Sequence, residues 1–333
     1  MRLAGGTKGT SLIALAVGIA TIACGVAWAV PGNLAATCAP QPSARLDARG
    51  AVPSAFCPTP RPAATTVPPA AAGQPTTPAA PSPTPSSTAG VALGPRPTPT
   101  GTGVPPGAVL RAWNRPLTFT VDNVTLSGID FHGMPKITGS NITITDCRFT
   151  SFAFYGPGPL TMRNCDGSGN LNVDAYYRDI DGILLDGVNL DVGSHDGFDL
   201  FSSAQGRISN VTVVNSIVHG MDFPPESRAH GDAMQVRGVT HLRVLNTVLD
   251  DGPYQHQKNS AFYLENVHGG LNDILIADSW LSGGGYTFYS NFVNPGMARH
   301  VHIALVGHWG LRRTKGGWTF VDVTGPTGEP VYP

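Results

Sequence analysis

The chain has 333 residues, 41 of them Gly and 30 Pro, with 13% charged residues and a formal net charge of −1. That length holds one large domain or two small ones. A near-zero charge with no long basic run leaves no footprint for a phosphate backbone and excludes nucleic acid as the expected partner.

Arg2 and Lys8 precede an apolar run from Ser11 to Val26, and Ala27-Trp28-Ala29 follows as a small-x-small cleavage pattern. Residues 1–29 therefore read as a secretory signal peptide. The rival is an uncleaved membrane anchor, because the run approaches a bilayer-spanning length; membrane contact is expected only through this segment. Cys24 lacks the Leu three residues earlier that a lipoprotein signal uses. On either reading the protein is secreted or displayed at the cell surface. Removing Cys24 leaves Cys38, Cys57, Cys147 and Cys165, an even number that suggests disulfides in an exported chain. Sequence order favours Cys38–Cys57 and Cys147–Cys165.

Residues 30–106 are rich in Pro, Thr, Ala and Ser, as in the stretch from Pro78 to Gly90. Such a composition buries too little apolar surface to offset its ordering entropy and is expected to be a disordered linker. The folded domain is expected over 107–333.

Within that domain eight short segments share one pattern, starting at Val124, Ile142, Leu160, Ile183, Val211, Leu242, Ile274 and Val301. Four residues after the first seven starts come Gly128, Asp146, Asn164, Gly187, Asn215, Asn246 and Asp278. One residue before the starts lie Asn123, Asn141, Gly182, Asn210, His241, Asp273 and His300, with Pro159 as the exception. These residue types most readily adopt positive φ, so each repeat turns a left-handed corner at fixed places. A period of about 20–30 residues with short strands and no Leu-rich consensus or helical periodicity means a parallel solenoid rather than leucine-rich repeats. The expected fold is all-β: a single-stranded right-handed parallel β-helix of about eight rungs. Cys147 and Cys165 each fall five residues after a start, which stacks them on adjacent rungs about 4.8 Å apart, within disulfide reach. The other reading is two buried thiols in an interior ladder. The sequons at Asn123, Asn141 and Asn210 are explained as corner Asn residues followed by Thr-bearing strands.

A second strand aligns Phe198-Asp199-Leu200, Met234-Gln235-Val236 and Phe262-Tyr263-Leu264, with Tyr286-Thr287-Phe288 next. Alternation puts Phe198, Met234 and Phe262 inside and leaves Asp199, Gln235, Tyr263 and Thr287 as an outward ladder. Asp196, Asp232 and Ser260 precede it, beside His195 and His230. The longest repeats add Glu226, Arg228, Tyr254, His256 and Lys258. Loops on a rigid scaffold concentrate function, and a polar, aromatic-edged groove suits an extended polysaccharide. Hydrolysis would use two carboxylates among Asp196, Asp199 and Asp232. Lyase chemistry would use Lys258, His230 or Tyr263 as base, and either Arg228 or a Ca²⁺ ion to hold a uronate carboxylate. His195, Arg228, Gln235, Tyr254, His256 and Tyr263 are the expected substrate-binding groups. Corner Asp and His residues that merely cap turns are the competing explanation. The basic, aromatic stretch Trp309, Arg312, Arg313, Lys315 and Trp318 reads as a cap on the last rung.

With its corner Asn residues, the string His230-Gly-Asp-Ala-Met-Gln235 and the segment Ile274 to Thr287, the chain over about 117–325 resembles the pectate-lyase-like superfamily of secreted bacterial β-helix proteins. Its members include lyases, polygalacturonases, epimerases, adhesins and phage tailspikes. Ser194-His195-Asp196-Gly197 is similar to the polygalacturonase Asn-Thr-Asp-Gly motif, which implies a catalytic Asp196. The family's adjacent aspartates, Gly-His-Gly and Arg-Ile-Lys motifs have no counterpart here. The expectation is an exported polysaccharide lyase or glycoside hydrolase; the alternative is a non-catalytic, adhesin-like surface module that binds glycan or an envelope partner.

Overall fold

The computed structural model describes residues 93–331; the expected signal peptide and the Cys38–Cys57 pair lie outside the described residues. Among the described residues there is no helix. Twenty-one strands are joined by parallel ladders into one continuous coil, the parallel β-helix read from the repeat. Each turn of the coil contributes to three faces.

The first face is the column Val124, Ile142, Leu160, Ile183, Val211, Leu242 and Ile274, which are in mutual register. The second face begins about five residues later with Ile129, Cys147, Cys165 and Val188. Cys147 and Cys165 form a disulfide with a Cα–Cα distance of 4.5 Å. The third face stacks Phe154, Val173, Leu200, Val236 and Leu264.

Side chains with positive φ carry the corners. Asn123, Asn141, Asn210, His241 and Asp273 have φ between 53° and 58°. Asp146, Asn164, Asn215, Asn246 and Asp278, the corner between the first and second faces, have φ between 43° and 51°. At Pro159, which cannot take positive φ, the preceding Gly158 takes it instead, at 89°. Short polar side chains suit these positions because they tolerate the left-handed region and bond across rungs. Asn141 Nδ2 donates to Asn123 Oδ1 at 2.8 Å, and Asn246 Nδ2 to Asn215 Oδ1 at 2.8 Å. The sequons are thus corners, as their spacing implies.

The end of the repeat differs from expectation. Ile274 is in register with Gly296, and Gly296 with Trp318, so the eighth segment starts at Gly296 and a ninth follows at Trp318. His300 and Asp322 are their corners, with φ of 51° and 49°. Val301 to Ile303 belong to the second face, where His302 pairs with Trp280. Gly296 is a poor advertisement for a strand start, whereas Val301-His-Ile303 carries the β-branched signature; backbone pairing with the rung below decided the register.

The interior is continuous. Phe152, Leu171, Phe198, Met234 and Phe262 stack through the third face with no accessible surface. Aromatic clusters close both ends: Trp113, Phe119 and Phe131 at one, Phe288, Trp318 and Phe320 at the other. Trp318 therefore caps the core, as the sequence implies.

Residues 93–106, expected as part of the linker, lie against the β-helix. Asn246 Nδ2 donates to Gly94 O (3.0 Å) and Pro95 O (3.1 Å), and Asn189 Nδ2 donates to Pro99 O (3.2 Å).

Candidate functional site

The outward row of the third face runs Asn172, Asp199, Gln235, Tyr263, Tyr289 and Arg313 in parallel register. A second row, three residues earlier on each strand, holds Asp232, Ser260 and Tyr286, and the Asp232 amide donates to Asp196 Oδ1 at 2.8 Å. Tyr289, not Thr287, continues the ladder beyond Tyr263. Ser260 pairs with Tyr286 and Phe262 with Phe288, so the expected alignment was two residues early. Thr287 is buried and receives the Gly307 amide at 2.7 Å.

The two rows are chemically graded along the coil. At the N-terminal rungs they present carboxyl groups and carboxamides. Asp199 is 4% exposed and Asp232 fully buried. Asp199 Oδ2 receives Asn170 Nδ2 at 3.4 Å, and Asp232 Oδ2 receives Gln235 Nε2 at 3.1 Å and Asn259 Nδ2 at 3.5 Å. The second oxygen of each, Oδ1, has no hydrogen-bond partner. Both carboxyls are pushed well above the ordinary carboxylate range, first by burial and then by the negative charge of Asp196. Asp196 is itself raised by burial, but the Asp232 amide, His195 and His230 oppose the rise. Asp196 is raised less than Asp199 and Asp232, so within this group it gives up its proton first.

A fourth carboxyl joins them. Asp251 is fully buried, with both oxygens unpartnered. Burial pushes it up to about 8, against the pull of Lys258. Lys258 lies beneath the face rather than on it: it is 2% exposed and its Nζ donates to Met221 O at 2.7 Å. Burial lowers its affinity for a proton, opposed by Asp251, Asp222 and Asp250.

At the C-terminal rungs the face becomes aromatic. Tyr263 and Tyr289 stack with centroids 4.7 Å apart and planes within 8°. Tyr254 stacks on His308 at 4.2 Å, and Trp309 packs edge-on against Tyr254 at 5.5 Å and tilted against Tyr286 at 5.6 Å. Arg313 lies 5.9 Å from the ring centres of both Tyr286 and Tyr289. Trp309 is 50% exposed, so it edges this face instead of covering the last rung. The Tyr263 hydroxyl is pushed up to about 12 by burial and by nearby Glu265, Tyr289 and Asp232.

The long loops stand beside the carboxyl group. Gln255 accepts the Phe223 amide at 2.9 Å and donates to Asp222 at 2.6 Å; Gln257 donates to Pro224 O and Ser227 O, each at 3.1 Å. These bonds fasten 222–230 to 253–257. Glu226, Arg228, His230 and His256 are exposed on them. Among the described residues, Arg228 and His256 make no hydrogen bond or ion pair with the carboxyls. No group of three or more His, Cys, Asp or Glu among the described residues is placed to hold a metal ion.

Sequence reasoning missed Asp251, Tyr289 and Tyr286. Only the fold brings Asp251 against Gly284 and out of solvent. No protein-family model, curated protein or solved structure matches the chain.

Proposed function

We propose that this is an exported carbohydrate-active protein whose third face hydrolyses an extracellular polysaccharide. One observation carries the reading: the buried carboxyls of Asp199 and Asp232, each with an unpartnered oxygen, lie beside the less buried Asp196 at the edge of an aromatic strip. Glycoside hydrolysis needs a carboxylic acid to protonate the departing oxygen and a carboxylate to act on the opposite side of the sugar. Asp199 supplies the proton and Asp196 the carboxylate; Gln235 hydrogen-bonds the sugar, and Tyr263, Tyr289 and Trp309 stack on the rings that follow. Burial, and then the negative charge of Asp196, hold Asp199 in its protonated form.

The lyase reading loses two of its three candidate bases and keeps only the exposed His230. Lys258 is buried and engaged, and a Tyr263 hydroxyl raised to about 12 is a poor base near neutral pH. The burial of Asp199 and Asp232 favours the alternative, a non-catalytic module that grips glycan through its aromatic strip. Incubating the full chain with a panel of neutral and uronic-acid polysaccharides separates these readings. Release of reducing ends without unsaturated ends, abolished in Asp196→Asn and Asp199→Asn, is the expected result. Unsaturated ends mean a lyase. Glycan binding with no turnover across the panel overturns the catalytic reading in favour of the module.

A further inference from the structure

The segment from Leu93 to Val104 crosses several rungs on the corner between the first and second faces and on the second face itself. Its hydrogen bonds to the corner and row side chains all use its own backbone. The Gly94 amide donates to Asn215 Oδ1 at 2.9 Å, and Asn246 Nδ2 donates to the carbonyls of Gly94 and Pro95. Farther along, Asn189 Nδ2 donates to Pro99 O at 3.2 Å and the Val104 amide to Asp166 Oδ1 at 3.3 Å. Two side chains anchor the segment: Pro97 is buried, and the Arg96 guanidinium lies 4.9 Å from the Trp280 ring centre.

The surface beneath it is built differently from the rest of the second face. Asn189, Ile217, Val248 and Trp280 share one outward row by register. Ile217 and Val248 are nevertheless only 4% and 6% exposed, and they are not members of the interior cluster. An outward pair of β-branched residues between Asn189 and the Trp280 ring is an apolar floor. The corner carboxamides above it form a rail of donors and acceptors at rung spacing. The hollow continues past Leu93 and Gly94, between Asp278, Trp280 and His302.

We propose that this corner is a binding groove for a proline-rich peptide that runs without a turn over 93–98 and then turns back at Thr98–Thr102, with the chain's own residues 93–104 as its resident ligand. Carboxamides that meet the segment through its main-chain N–H and C=O groups select a backbone shape rather than side chains, and a proline-rich stretch such as 93–98 holds an open shape at low entropic cost. The groove lies away from the third face, so residues 93–104 run clear of the carboxyl groups. This inference is independent of whether that face is catalytic.

The test uses the full chain with a site-specific protease sequence inserted at the exposed turn Pro105–Gly107, cleaved after folding. The N-terminal piece is expected to stay bound in gel filtration at micromolar concentration. A labelled synthetic peptide spanning Leu93–Val104 is expected to exchange into the groove and displace it. Asn246→Leu combined with Asn189→Leu should weaken retention at least tenfold. Gly103→Val should do the same from the ligand side, leaving the β-helix unaltered, because a side chain there meets Asp166 and Asn189. Separation of the unsubstituted piece on cleavage overturns the proposal. So does equal retention by the Gly103→Val piece, or failure of the free peptide to exchange.

Discussion

At the residue scale the most informative groups are carboxyls whose protons the fold retains. Asp251 sits at about 8 in the folded chain against an ordinary 3.8. Between those values the folded state keeps a proton that the unfolded chain has released, so stability is greatest in acid and falls as pH rises. The slope is up to about 1.4 kcal/mol per pH unit. Above about 8 both states are ionised and this contribution levels off. Asp251→Asn removes the titration while preserving shape. Its stability relative to the parent should therefore grow from pH 5 to pH 8 by a few kcal/mol in all, measured by urea midpoints. Parallel curves for the two proteins would sink the assignment. The same electrostatics predict the activity profile. Asp199 is raised well above the carboxylate range, so the alkaline fall in hydrolysis should lie well above that of a solvated carboxylate. Asp199→Asn should lower turnover by about 10²–10⁴-fold without altering the urea midpoint downward. Asp199 was legible in sequence because strand alternation aims it outward; its burial was not, since that depends on groups from other rungs.

At the element scale the corners explain why the repeat can be read without a structure. A left-handed residue is needed at a fixed offset in every rung, and Asn, Asp, His and Gly recur there because other types are strained by about 1–2 kcal/mol. Asn210, at φ 56°, also donates from Nδ2 to Asp181 Oδ1 at 2.6 Å. Asn210→Ala should cost about 1–3 kcal/mol, the conformational strain plus a hydrogen bond. Asn210→Gly should recover the conformational share. Equal losses for Ala and Gly, compared by chemical denaturation, would show that the hydrogen bond alone matters. The strand at Gly296 illustrates where this legibility stops. Its residues Gly296-Met297-Ala298 carry no β-branched signal, and they are strand because Ile274, Leu275 and Ile276 pair with them. Once a rung is placed by its neighbour, local propensity is overridden, and the two-residue shift between Thr287 and Tyr289 has the same origin.

At the scale of the whole molecule, a coil in which each rung touches only the next makes stability a sum of nearest-neighbour terms. The middle rungs have partners on both sides, whereas the strand Gly310–Val321 rests on a single neighbour. Amide exchange should accordingly be slowest around Ile208–Val214 and Val239–Leu245, and fastest in the last rung. Trp318 is what restrains that end: it meets the Phe288 ring edge-on at 4.8 Å and donates from Nε1 to Ser290 Oγ at 2.9 Å. Trp318→Ala removes a half-buried indole, on the order of 2–4 kcal/mol, and the loss should remain local. Exchange should accelerate across 310–321 and the underlying strand Tyr286–Arg299, while Ile142–Phe149 and Leu160–Gly167 keep their protection. Because Tyr286, Tyr289 and Arg313 belong to those loosened strands, glycan affinity should fall with it, whereas the pH dependence set by Asp251 should not move. A uniform loss of protection along the whole coil would instead mean that the rungs unfold as one unit, with the aromatic and carboxyl halves of the face energetically inseparable.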